Sequence, residues 1–285
     1  MSPAPHSRAG AGQFDGIVMV ESTPLPATPV KPAAPYVGGK RRLAARIIER
    51  IAAVPHDCYV EPFVGMGGVF LRRPFRAKAE VINDVSRDVA TLFRVLQRHF
   101  EAFMDMLKWQ LTSRAEFERL KAAEADTLTD LERAARFLYL QRTAFGGKVT
   151  GRNFGVSVSA GARFDVLKLA SMLEEIHERL SGVVIECLPF GKLLTAYDRP
   201  STLFYLDPPY WDCETDYGAG VFGKDDFEAM ARQLAGIKGR FILSLNDRPE
   251  VRHIFRRFTI EAVETTYSLN GRVQGKAAEL VISGP

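Results

Sequence analysis

Residues 58–70 read CYVEPFVGMGGVF. The first six, CYVEPF, read as a strand. Gly65, Gly67 and Gly68 follow at once. Glycines directly after a strand permit a tight turn and a close approach of backbone to a ligand. The loop is neither GxGxxG nor a P-loop, so a pyrophosphate cradle is not its natural role. By itself it serves a plain strand-to-helix turn equally well.

Working outward, AEVIND (79–84) is a second short strand that ends on Asp84. In nucleotide-type folds an acid about 20 residues past the glycine loop binds ribose hydroxyls. A turn or helix-capping role competes, because SRDVATLFRVLQRHF follows as a helix with Ser86 at its N-cap. Asp88 is available as that helix's own first-turn acid. Upstream, PYVGGK (35–40) precedes an amphipathic helix carrying Leu43, Ile47, Ile48, Ile51 and Val54 at helical spacing. The backbone N–H groups of Gly38 and Gly39, with the charge of Lys40, suit a carboxylate-bearing ligand. A solvated basic helix start suits the same residues, since Arg41 and Arg42 come next. Downstream, LFYLDPPYWD (203–212) is an apolar run that ends in an acid, two prolines and an aromatic. Proline fixes φ and lacks an N–H, so the strand stops there and its exit is stiff. Open α/β sheets place ligands at strand carboxyl ends, so the glycine loop, Asp84 and Asp207 are expected along one sheet edge.

The chain has 285 residues and 46% hydrophobic content, enough for one large domain with an insertion. A net charge of +4 permits a nucleic-acid partner without demanding one. Cys58, Cys187 and Cys213 stand at no metal spacing, and the histidines join them in no ligand pattern. Reduced thiols and a cytoplasmic location are therefore the default, with no zinc site or disulfide framework. No apolar run approaches the ~18 residues of a membrane span. Residues 1–34, rich in Pro and Ala, are expected to be a disordered leader, with Met19 a candidate initiator and order beginning at Tyr36. Residues 101–180 carry four helical runs broken by GGKVTGRNFGVSVSAGAR, and strands return after 181. The pattern predicts an α/β chain: an open, mostly parallel sheet from 35–98 and 181–285, and a second, largely helical lobe from 99–180.

PYVGGK, EPFVGMGGVFL, VIND and YLDPPY, in this order, resemble the Dam-type DNA adenine-N6 methyltransferases, the D12 class or alpha group. The likeness covers most of residues 35–285; SVSAGARFDVLK and SLNGRVQGKAAELVI are similar to further family segments. It implies a Rossmann-like fold that uses S-adenosylmethionine, with a mostly helical inserted DNA-recognition domain and no metal. Tyr36, Gly39, Lys40, Asp84 and Asp207 match cofactor-contacting positions; Tyr36 stands where the best-known members carry Trp. Phe63, Gly65 and Gly67 match the cofactor loop, and Asp207, Pro208, Pro209 and Tyr210 match the catalytic motif.

The implied substrate is adenine in double-stranded DNA. Its amino nitrogen is a poor nucleophile, because the lone pair is delocalised into the ring. The base must also leave the stack, at a cost of a few kcal/mol. The Asp207 carboxylate and Pro208 carbonyl can accept its two N–H bonds and localise the lone pair, while Tyr210 supplies a stacking face. No cysteine nucleophile is needed, and Cys213 is incidental. Rival chemistries on the same scaffold, at cytosine N4 or at amino groups of RNA or protein, more often carry Ser or Asn in place of Asp207. A binding-only relative is the other alternative. Between Arg142 and Arg163 lie four basic residues and no acids. Arg142, Lys148, Arg152, Asn153 and Arg163, interleaved with Phe145 and Phe154, are the candidate DNA contacts. Arg272 and Lys276 are second-tier candidates. Any cognate restriction nuclease is expected to be a separate protein, and the chain itself a monomer or weak dimer.

Overall fold

The structure, a computed structural model, describes residues 24–38, 40, 43–156, 161–218, 220–269 and 272–285; along 265–269 and 272–277 it describes the backbone alone. Its strands are β1 (Leu25–Pro26), β2 (Cys58–Glu61), β3 (Phe75–Arg76), β4 (Ala79–Asn83), β5 (Val184–Glu186), β6 (Thr202–Leu206), β7 (Arg240–Asn246), β8 (Thr259–Leu269) and β9 (Arg272–Gly284). Its helices are α1 (Ala44–Ala53), α2 (Arg87–Arg98), α3 (Phe100–Leu107), α4 (Arg114–Ala122), α5 (Asp130–Thr143), α6 (Val166–Arg179), α7 (Phe190–Tyr197), α8 (Lys224–Leu234) and α9 (Pro249–Ile254).

Among the described residues the central sheet has seven strands in the order β5-β4-β2-β6-β7-β9-β8. Neighbours from β5 to β7 are parallel, and β9 alone runs antiparallel, to β7 and β8. The chain moves outward from β2 through β4 to β5, then returns to β2's other side at β6. That reversal is the topological switch point, where a Rossmann-like sheet opens a ligand crevice. It falls between the strand feeding the glycine loop and the strand feeding Asp207.

Strand residues alternate between two cores, as the period of two requires. Tyr59, Ile82, Leu203, Tyr205 and Ile242 belong to one buried cluster. Val60, Val81, Phe204, Leu206, Phe241 and Leu243 belong to the other, with α7 and α8 residues such as Leu193 and Phe227. With both faces covered, the central strands read as continuous apolar runs.

The helical segment packs directly on the sheet. Phe103, Phe117, Phe137 and Leu173 share one buried cluster with Ile82 of the sheet and Leu92 of α2. The apolar stripe of α2 is wide enough to bury against the sheet on one side and α5 on the other. A buried triad fastens the end of this segment: Glu80 of β4 accepts Arg73 and, at 2.6 Å, Nη1 of Arg179 from α6. The Arg73 guanidinium lies 3.6 Å over the Tyr59 ring.

The disordered leader also needs correction. Order reaches back to residue 24: Leu25–Pro26 pair with Phe75–Arg76, and Val30, Ala33 and Ala34 are buried. These small and β-branched residues fill a seam along the glycine loop, where Val30 N–H donates to Leu71 O at 2.8 Å. Residues 1–23, including Met19, lie outside the described residues. Among the described residues no helix is long and apolar enough to cross a membrane.

Candidate active site

The carboxyl ends of β2, β4 and β6 open onto a cavity of about 1100 Å³. Tyr36, Phe63, Gly65, Asp84, Phe190 and Asp207 are among its walls.

The floor is the glycine loop. Gly65 sits at φ +50, a left-handed conformation, and a Cβ there would lie 3.0 Å from the Tyr36 ring. Only glycine lets the backbone pass this close. Gly65 N–H donates to Asp84 Oδ2 at 3.0 Å and Ser86 N–H to Asp84 Oδ1 at 2.9 Å. Asp84 thus staples the loop to the start of α2. Ser86 holds the N-cap position, but its side chain makes no capping bond. Burial pushes the Asp84 carboxyl up to about 6, and the two backbone N–H groups oppose the shift. Beside it, buried Asn83 donates to Pro62 O at 2.8 Å and Leu188 O at 3.0 Å, and accepts Leu188 N–H at 2.8 Å. One amide therefore aligns the exits of three adjacent strands.

Aromatic rings close two sides. Phe63 packs against Phe190 and Phe222, with centroids 5.7 and 5.9 Å away. Tyr36 and Tyr217 lie 5.8 Å apart, and the Tyr217 hydroxyl donates to Val37 O at 2.9 Å.

At the end of β6, Asp207 Oδ1 lies 2.7 Å from Lys40 Nζ and accepts the Ser244 hydroxyl at 3.0 Å. Tyr205 OH in turn lies 3.0 Å from Ser244 Oγ. Burial raises the Asp207 pKa, while the charge and hydrogen bond of Lys40 pull it back. Lys40 also donates to Tyr210 OH at 2.5 Å and lies 4.1 Å from its ring centroid. The exit of the motif is held at two points by Asn246: Trp211 N–H donates to Oδ1 and Nδ2 donates to Trp211 O, both at 3.0 Å. Asp207, Pro208, Pro209 and Tyr210 therefore leave the sheet along a fixed path. Glu61, also on the cavity wall, is pushed up to about 8 by burial, against the Tyr59 hydroxyl that donates to it at 2.7 Å.

A family model, D12 class N6 adenine-specific DNA methyltransferase, matches residues 36–269. The chain belongs to this family. Curated relatives agree. The chain is 25% identical over 252 residues to the Type II methyltransferase M.CviBI of Paramecium bursaria Chlorella virus NC1A, covering 86% of this chain and 95% of that one. It is 26% identical over 271 residues to the DNA adenine methylase of Haemophilus influenzae, covering 88% and 92%. It is 25% identical over 278 residues to the Type II methyltransferase M1.LlaDCHI of Lactococcus lactis subsp. cremoris, covering 89% and 95%. The protein is a DNA adenine-N6 methyltransferase that uses S-adenosylmethionine. The cavity fits that cofactor: its size suits a nucleoside-sized ligand, Gly65 leaves a cradle that a Cβ would fill, and acids and aromatics share its walls.

Of the residues matched to the family's site, the methyltransferase brings Tyr36, Lys40, Phe63, Gly65, Asp84 and Asp207 to one cavity. Gly39 lies outside the described residues. Gly67 faces inward instead, where a Cβ would lie 2.8 Å from Leu71 Cγ. The basic residues between 142 and 163 divide. Lys148 and Asn153 are exposed. Arg142 spends its guanidinium on Arg163 O at 2.9 Å and on Ala33 O. Arg152 donates to Lys148 O at 3.1 Å and Gln141 Oε1 at 3.3 Å, and Arg163 donates to Ala144 O at 3.3 Å. These arginines hold the insertion's own backbone, and Arg142 also ties it to Ala33. The Arg272 and Lys276 side chains lie outside the described residues. The sequence missed Asn83, Phe190, Tyr217, Ser244 and Asn246. Only Asn83 and Asn246 left a signal, as amides at strand ends.

Proposed function

We propose that the methyltransferase acts on double-stranded DNA by drawing one adenine out of the stack and holding it between Tyr210 and the acceptors of Asp207 and Pro208. The observation that carries this reading is the anchoring of Asp207 by Lys40 and Ser244 on the wall of the cavity. An acceptor fixed in advance needs no reorganisation when the amino nitrogen rehybridises. Its two N–H bonds go to the carboxylate and the proline carbonyl. The lone pair is then localised toward the cavity. When bound, S-adenosylmethionine supplies a methyl group activated by its sulfonium sulfur. Tyr36, Phe63, Gly65 and Asp84 would hold it. After transfer the nitrogen is acidic, and Asp207 or solvent takes its proton.

Residues 99–180 act as the recognition module, with Lys148 on phosphate and Asn153 at base edges. Action on cellular DNA fits reduced Cys58, Cys187 and Cys213. Any cognate nuclease is a separate chain, and the methyltransferase works as a monomer or weak dimer.

Expression in a methylation-free bacterial host, followed by modification-sensitive single-molecule sequencing, tests the assignment. N6-methyladenine at one short motif is the expected result. An unmodified genome, from soluble protein that binds S-adenosylmethionine, would overturn it in favour of an RNA, protein or binding-only role.

A further inference from the structure

Gln141 is fully buried near the end of α5, where the methyl-transfer chemistry needs no amide. Its Nε2 donates to Pro35 O at 2.9 Å and to Gly147 O at 2.5 Å. Its Oε1 accepts Arg152 Nη2 at 3.3 Å. A side-chain amide has two N–H donors, so both are used. Two carbonyls can only accept and a guanidinium can only donate, so the partners themselves set the amide's orientation.

The two carbonyls belong to segments far apart in the chain, and both segments reach the cavity wall, through Tyr36 and Val149. Pro35 precedes Tyr36, a wall of the cofactor cavity. Gly147 sits in the turn that displays Phe145 and Lys148 to solvent. The two backbones touch: Val37 N–H donates to Gly147 O at 3.2 Å. At Gly147, φ is +67 and a Cβ would lie 2.9 Å from the Pro35 carbonyl carbon. Arg152 fastens the far side of the same turn through Lys148 O. Phe145 N–H closes the segment onto Asn153 O at 2.8 Å.

We propose that Gln141 is a positioning residue that joins the Tyr36 wall of the cofactor cavity to the DNA-facing segment 145–153, so that filling the cavity orders the segment before DNA arrives. The proposal rests on the cavity being the S-adenosylmethionine site. A ligand packed on Tyr36 restrains Pro35–Val37, and that strand of backbone shares the Gly147 carbonyl with Gln141. By linkage, DNA bound on the segment must tighten the cofactor by the same factor.

Hydrogen–deuterium exchange on the full chain tests this without DNA or turnover, using S-adenosylhomocysteine as the probe. In the wild type the probe slows exchange at residues 33–38, and by about fivefold or more at 143–156 as well. Gln141→Leu keeps protection at 33–38 and loses it at 143–156. Gln141→Asn retains the amide but falls one methylene short of bridging both carbonyls. It gives the same result with a smaller packing change, should the leucine variant not fold. Protection confined to 33–38 in the wild type, or protection at 143–156 that survives both substitutions, overturns the linkage alone. No protection at 33–38 removes the cofactor assignment of the cavity, and the proposal with it.

Discussion

Lys40 and Asp207 form a partly buried ion pair on the cavity wall, Nζ to Oδ1 2.7 Å, with the Lys40 side chain 3% and the Asp207 side chain 19% exposed. The glycine turn thus reaches the DPPY exit of β6 directly, and Lys40 serves Asp207 and Tyr210 at once.

Lys40→Met leaves the Asp207 carboxylate buried without that charge. Burial raises its pKa and Lys40 opposes the rise, so removing Lys40 moves the pKa further up. An acceptor must be ionised to work best, so the acidic limb of the single-turnover rate profile shifts to higher pH. The rate at neutral pH falls about a hundredfold. An unmoved acidic limb would count against the pairing.

Gly65→Ala forces a side chain into a left-handed conformation and onto the Tyr36 ring. The strain is about 1 kcal/mol or more. Affinity for S-adenosylhomocysteine, measured by calorimetry, falls tenfold or more, while DNA binding in the absence of cofactor stays close to wild type.

Glu61 makes stability fall as pH rises between its ordinary and its folded pKa. Its folded pKa is about 8 against an ordinary 4.5, so the folded state binds more protons between those values. Its contribution is complete below pH 4.5 and is lost as pH rises through 8. The slope is about 1.4 kcal/mol per pH unit inside that window. Urea midpoints for Glu61→Gln should decline less with rising pH than those of the wild type.

Glu80→Gln leaves Arg73 and Arg179 buried without their anion. Breaking a buried pair from one side costs about 3–5 kcal/mol. Chemical denaturation should show a loss of this size, and an effect below about 1 kcal/mol would mean that the triad is not load-sharing.

The insertion's cations separate by salt dependence. Lys148→Ala lowers the slope of log affinity for DNA against log salt by about one, with unchanged stability. Arg142→Ala lowers the melting temperature, because Arg142 holds Ala33 and Arg163 carbonyls. Its salt slope stays at the wild-type value.

Much of this was legible in the residues themselves. Runs such as TLFYL and RFILSL are apolar at every position because both sheet faces are covered, and that continuity announces a central parallel strand. DPPY and the glycine loop carry part of their geometry locally, through fixed φ and a missing Cβ, so they stand out in the sequence before any neighbour is known. The four helical runs from 101 to 180 were equally plain from their spacing.

Charge on an arginine carries no such local mark. Arg142, Arg152 and Lys148 look alike in sequence, yet the first two serve backbone carbonyls while the Lys148 side chain meets solvent. Which carbonyl a guanidinium finds depends on segments distant along the chain, such as Ala33 beside Arg142. The leader shows the same limit: its Pro-rich composition argues for disorder, but Val30, Ala33 and Ala34 find a groove that exists only after the sheet has formed. The sequence by itself determined the apolar strands, the DPPY exit and the family with its reaction class. Tertiary structure alone decided the Lys40–Asp207 pair, the Asn83 and Asn246 clamps and the Gln141 bridge, because each joins polar groups whose meeting depends on how the sheet twists and packs.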